Sequence, residues 1–126
     1  MTNETPDWVK EYHRKNASLE AALAVTLEEY QSAVKHLVGL ARSDTGGSAP
    51  AAQVVLSLYN GHNWHVDLTD LGSLDYEYLT SALIAIRGRL LLQTEPHDVI
   101  PDGPDIFAAL QEQWAHLHTS RRYSKK

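Results

Sequence analysis

The chain has no cysteine, no apolar run near the roughly 20 residues that a membrane-spanning helix needs, and no surplus of basic charge. The missing cysteine excludes disulfides, thiolate catalysis, and cysteine-based zinc and iron–sulfur sites. It need not be replaced by another staple. A chain of 126 residues with 43% hydrophobic content can bury about two thirds of its unfolded surface in one domain. The N-terminus, Met1-Thr2-Asn3-Glu4-Thr5-Pro6-Asp7, is polar and acidic, unlike a secretory signal. These absences lead to the expectation of a soluble, cytoplasmic protein with no membrane partner. Sixteen acidic residues stand against 11 basic ones, and the net charge of −5 is at a level that serves solubility. Seven histidines could carry that balance to +2 if all were protonated. No Gly-rich phosphate loop follows a strand-like run, and there is no Gly-x-Ser-x-Gly elbow. No internal repeat or composition break divides the chain. A single domain over 1–126 is expected, with 119–126, carrying Arg121, Arg122, Lys125 and Lys126, as a flexible basic tail.

What is present is helical periodicity. Thr5-Pro6 reads as an N-cap followed by proline at the first helical position. Trp8 and Tyr12 share a face. A break near Asn16 or a straight continuation both fit the run that follows. Leu19, Leu23, Leu27, Tyr30, Val34, Leu37 and Ala41 recur at spacings of four and three, the stripe of a helix packed along a bundle. The same stripe could serve as a coiled-coil seam, so a homodimer through the N-terminal helix is also open. Ser48 can cap the next helix, with Pro50 tolerated in its first turn. Leu74-Asp75 predicts a capped helix start with a hydrophobic staple from Leu74 to Leu79. Leu79, Leu83, Ile86 and Leu90 then form the expected buried face, and Pro96 ends the element. Pro104 opens a last helix whose seam is Phe107, Leu110, Trp114 and Leu117. The fold class is all-α, a single-domain bundle of about four helices.

The stretch 53–68 admits two conformations. Gln53 to Tyr59 is β-friendly, Asn60-Gly61 is a strong hairpin signal, and Trp64, Val66 and Leu68 alternate with His65 and Asp67. Asn-Gly is equally a helix C-cap, because both residues accept the left-handed conformation. The alanines before the run favour a helix, then a turn, then a short extended or hairpin segment near 60–68.

Chemistry is thinly supplied. His62, His65 and Asp67 are ordinary metal-ligand types, but in an extended segment only His65 and Asp67 point to the same side. They are candidate ligands for a metal-dependent hydrolase, against the alternative of a polar loop that satisfies its own backbone. His97-Asp98 is similar to the dipeptide that names the helical His-Asp phosphohydrolases. There the pair lies in an apolar helix, whereas here it lies between Pro96 and Ile100-Pro101. His116 and His118 lie two apart and on different helix faces. Asp67 and Asp70 could pair for acid–base work, or Thr69 and Asp70 could cap a short turn. Arg87, Arg89 and the basic tail leave a DNA-binding regulator open, without a helix pair carrying a basic recognition face. No cofactor is implied. Tyr59 and Trp64 could be an outward aromatic patch or large core residues.

The segments Leu58-Tyr59-Asn60-Gly61, Asp67-Leu68-Thr69-Asp70-Leu71 and Leu74-Asp75 resemble a small bacterial family of uncharacterised proteins met on plasmids, integrated elements and phages. Glu95-Pro96-His97 and Ile106-Phe107 with Leu110 and Trp114 extend the likeness over about 51–114, while Gly72 and Pro96 depart from the pattern. The resemblance implies an accessory role on a mobile element and no particular chemistry. With catalytic constellations missing, the expectation is a non-enzymatic accessory protein acting by protein–protein binding, for example an inhibitor of a host defence system or an assembly factor. Its partner-binding residues would be Tyr59, Asn60, Trp64, His65, Asp67 and Asp70.

Overall fold

A computed structural model describes residues 4–124. Residues 1–3 and the tail cations Lys125 and Lys126 lie outside the described residues, so neither the polar start nor the last two charges of the expected tail are assessed. The chain forms α1 (Asp7–Leu23), α2 (Leu27–Ala41), α3 (Ser48–Tyr59), α4 (Tyr76–Leu92), α5 (Gly103–Gln113) and a short α6 (Thr119–Arg122). 3₁₀ turns lie at Leu68–Ser73, Pro96–Asp98 and Ala115–Leu117. No strand occurs among the described residues, and no described helix is long and apolar enough to cross a membrane. The all-α expectation holds.

The body is a triangle of α2, α3 and α4, with α5 lying against α3 and the Pro96 turn. Helix α3 is its centre, buried on every side from Pro50 to Leu56. That is the behaviour of a helix with no polar face. Tyr30, Val34, Leu37 and Ala41 of α2 are buried as the stripe predicts. The last carbonyls of α2 have no helical partner. Ala41 O instead accepts from Trp114 Nε1 at 3.0 Å and from Gln113 Nε2 at 3.2 Å.

The upper half of the predicted stripe does not join the core. The helix breaks at residues 24–26, where Thr26 Oγ1 accepts from Glu29 N (3.1 Å) and Glu29 Oε1 accepts from Thr26 N (2.8 Å). This capping box restarts the helix at Leu27. Periodicity carries across such a break, so it could not reveal it. As a result Leu19, Leu23 and Leu27 are exposed, and α1 has no buried residue.

Helix α4 differs more sharply. Its buried positions are Ala82, Ala85 and Gly88, not the predicted leucine face. Leu83 is 50% and Leu90 67% exposed, while Leu79 and Ile86 are half-buried. Crowding by Tyr30 explains the choice. A Cβ on Gly88 would lie 2.5 Å from Tyr30 Cδ1 and 2.7 Å from Cγ, so only a small-residue face lets α2 approach this closely. Tyr30 is fully buried and donates its hydroxyl to Thr94 O at 2.7 Å.

Local caps are shifted from expectation. Pro6 occupies the N-cap position of α1 and Asp7 the first helical one. Ser48 begins α3 behind Gly47 and accepts from Thr45 N, closing the preceding turn instead of capping the helix. Asp75 is the N-cap residue of α4 but makes no side-chain cap bond. The last predicted seam is buried at Phe107 and Leu110, then the helix ends at Gln113, leaving Trp114 and Leu117 half-buried beyond it.

Candidate functional site

Residues 60–70 form the connector between α3 and α4, and Gln53 of α3 organises it. This amide is buried at the edge of the core. Its Oε1 accepts from Asp67 N (2.8 Å) and Arg122 Nη2 (3.3 Å), and its Nε2 donates to Asp70 Oδ2 (3.0 Å). A buried amide is tolerated when both of its ends are bonded, as here.

The C-terminal segment closes the connector from outside. Arg122 donates to Asp67 Oδ2 at 2.7 Å and to the His65 carbonyl, and its own side chain is nearly buried. Tyr123 OH pairs with His65 Nδ1 at 3.0 Å. Thr119 N donates to Asn63 O at 3.0 Å, and Trp64 forms an isolated antiparallel bridge with His118. The expected mobile tail is therefore, over its described part, a short helix held down by a charge-assisted hydrogen bond. The favoured order of helix, turn and short extended piece is what the structure has, and the alternative hairpin is not formed. Helix α3 runs to Tyr59, and the extended piece at Trp64 pairs with His118 rather than with 53–59. Asn60 caps α3 with its N–H bonded to Leu56 O. Its backbone (φ −151°) is not left-handed, and its carbonyl accepts from Asn63 N and Trp64 N.

This geometry redistributes the predicted binding residues. Trp64 is 4% exposed, with its ring edge-on to His118 at 5.2 Å, so it is a core residue and not an outward anchor. Tyr59 is half-buried, 5.2 Å from the Phe107 ring and 5.1 Å from His97. Asn60 and Asp70 are half-buried, and only His65 and Asp67 of the six are exposed. Both are already bonded to the C-terminal segment.

The candidate ligands do not converge either. Among the described residues no three of His, Asp and Glu come together as a metal-binding group. His62 is exposed, while His65 turns to Tyr123 and Asp67 to Arg122. Asp67 and Asp70 serve different partners, Arg122 and Gln53, and do not act as a pair. Asp67 precedes the 3₁₀ turn without a side-chain cap bond, and Thr69 and Asp70 lie within the turn. His97 Nε2 lies 3.3 Å from Asp98 Oδ1 in a 3₁₀ turn, with its ring against Tyr59 and Phe107. His118 Nδ1 is engaged by Ser120. Two of the cations named for nucleic acid are bonded internally. Arg89 donates to Leu58 O and Glu95, and Arg122 to Asp67.

The exposed apolar side chains lie elsewhere. Along α1, Trp8 (74% exposed), Tyr12, Leu19 and Leu23 face solvent on one stripe. Along α4, Tyr76 (88% exposed), Leu83 and Leu90 do the same at heptad spacing, with Leu91 beside them. Single exposed leucines are unremarkable on a protein surface, but a continuous stripe is not. Next to it, between α2 and α4, opens a groove lined by Glu28, Glu29, Ser32, His36 and Ile84. The Thr26 backbone hydrogen bond, then its hydroxyl, holds the Glu29 carboxyl below the usual range, so Glu29 stays ionised at the groove edge. The α4 stripe was visible in the sequence as apolar positions, but they read as core. The corrective signal is the Ala82, Ala85, Gly88 row, which marks the side that another helix approaches.

Residues 31–115 match the model of a family described as a family of unknown function (DUF7673). No curated protein and no solved structure matches the chain.

Proposed function

The chain belongs to the family of unknown function DUF7673, and from that premise we propose that it is a non-enzymatic accessory protein that works by docking on another protein through the outer face of α4. The observation that carries this is the exposure of Tyr76, Leu83 and Leu90 along one side of a helix whose opposite side is packed with small residues. Apolar stripes at this spacing are what an amphipathic partner helix recognises, through anchors one and two turns apart. The connector 60–70 supports the same reading differently. Its carboxylates, amide and histidine are engaged in holding the fold, which leaves recognition to the helical faces. A setting on a plasmid or phage, in the cytoplasm, is supported by the resemblance of the 58–75 segment to proteins of such elements. Inhibition of a host defence system or assistance in assembly would both use such a face.

The test is capture from the native host with the tagged full chain and with its Leu83→Glu/Leu90→Glu variant. Both positions are exposed, so the α2–α4 body of the variant should still fold and melt cooperatively. The specific captured protein should be lost from the variant. Retention of the same protein at the same yield would show that docking does not use this face.

A further inference from the structure

We infer that two copies of the chain exchange their first helices, each α1 laying Trp8, Tyr12, Leu19 and Leu23 along the exposed side of the other copy's α4. This rests on the reading of α4's outer face as a docking surface and names a second copy as its occupant in the free protein, which a host partner would displace.

Helix α1 supplies the need. It has 17 residues and none is buried, and it lies along no other helix. Isolated helices of this length are marginal in water. Its four large apolar side chains recur at four, seven and four residues on one side of the helix, as two pairs with Lys15 between them. Helix α4 supplies the match. It also has 17 residues, so the two stripes are of equal length.

The junction explains why the cover comes from a second copy. Val25 is buried in the core, and Thr26 is locked in its capping box with Glu29. Both anchors follow directly after α1, and the backbone at Ala24 and Thr26 is extended. Helix α1 thus leaves this junction without packing along a helix of its own body. The Tyr30–Thr94 hydrogen bond sets the start of α2 against the end of α4, so this junction sits at the Leu90 end of the exposed stripe. Two junctions placed side by side across a twofold axis send each α1 onto the other copy's α4. A symmetric exchange makes the same contact twice. Helices about 25 Å long and about 10 Å wide give two such contacts a total buried area of roughly 1,000 Å². That reaches the level of about 1,000 Å² that a specific interface should clear.

The absence of cysteine makes the test clean. Asn16→Cys lies at the middle of α1 beside the apolar face, and Leu83→Cys near the middle of α4. With a short bismaleimide, the double variant should be trapped as a covalent dimer. A mixture of the two single variants should give a cross-linked pair containing one of each. Light scattering should return twice the chain mass for the natural sequence and a single chain mass for Trp8→Glu/Leu19→Glu and for Leu83→Glu/Leu90→Glu, whose circular dichroism should fall by no more than the share of α1. The inference is overturned if the double variant is linked within one chain, or if Asn16→Cys alone links as efficiently as the mixture. It is also overturned if the natural sequence has a single chain mass. In that last case loss of the host partner from Leu83→Glu/Leu90→Glu would leave the docking surface standing without the exchange. A variant that changes neither mass nor capture removes both.

Discussion

Two chemically identical substitutions in this protein should move stability in opposite directions. Gly39 and Gly88 are both helical, and alanine in place of a helical glycine is worth up to about 1 kcal/mol. At Gly39 nothing lies within 4 Å of a new Cβ, so Gly39→Ala should gain most of that. At Gly88 the methyl would stand 2.5 Å, 2.7 Å and 3.0 Å from Tyr30 Cδ1, Cγ and Cβ. Those are the root atoms of the side chain. The ring is held at its far end by the hydroxyl bond to Thr94 O, so it cannot swing aside. Overpacking of this kind costs about 1–3 kcal/mol, and the tightness of the approach argues for the upper half. Set against the helix gain, Gly88→Ala should lose about 1–2 kcal/mol. The two variants should differ by about 2–3 kcal/mol, or roughly 10 °C in melting temperature for a domain of this size. Thermal and urea melts followed by circular dichroism read this directly. A Tyr30→Leu background should relieve most of the Gly88→Ala loss, as a double-mutant cycle can show. If Gly88→Ala stabilised as much as Gly39→Ala, α4 would not present its small-residue side to α2, and the outward leucine stripe would fall with that packing.

Gly103→Ala should be harsher, at about 3 kcal/mol or more, because its Cβ would collide with the backbone carbonyl of His97, which no rotamer can relieve; soluble yield and melting temperature measure it. Gln53→Leu should cost about 2 kcal/mol by stranding the Asp67 N–H and loosening Arg122; unchanged hydrogen-exchange protection at Asp67 would count against the clamp. Trp64→Ala should lose about 3–5 kcal/mol of folding stability, as a core tryptophan does; weakened partner binding at full stability would restore it as an anchor. Burial pushes the Tyr30 phenol up to about 12. Its folded value thus lies above the ordinary 10.0, so the unfolded chain ionises first. The contribution is whole below about pH 10 and fades toward pH 12, at about 1.4 kcal/mol per pH unit. Urea melts across that range should show the decline, and Tyr30→Phe should remove it.

The sequence displayed the elements better than their orientation. The stripe Tyr30, Val34, Leu37, Ala41 is read correctly because burial on one side of a helix leaves a period. Asn60-Gly61 does follow the last residue of α3, although Asn60 ends the helix without the left-handed backbone that the pair permits. The same logic failed on α4, where apolar residues occupy nearly the whole circumference and periodicity selects no side. There the decision lies with Gly88 and the tyrosine opposite it, a contact between residues 58 apart in sequence that no local pattern encodes. The break before Leu27 was legible in Thr26 and Glu29 but masked by the continuing leucine spacing. The connector was misread for a related reason. Trp64, His65 and Asp67 look exposed in a polar stretch, and their partners are His118, Tyr123 and Arg122 at the far end of the chain.

That closure has a bearing on synthesis. Gln53 waits for Arg122 across 69 positions, and Asp67 waits for it across 55. While the chain is being translated, the α2–α4 framework can assemble early, but the stretch after Tyr59 keeps its acceptors open to water until Arg122 has left the ribosome. A product that stops short of Arg122 leaves Gln53 Oε1 and Asp67 Oδ2 without that donor, and the middle of the fold unlatched.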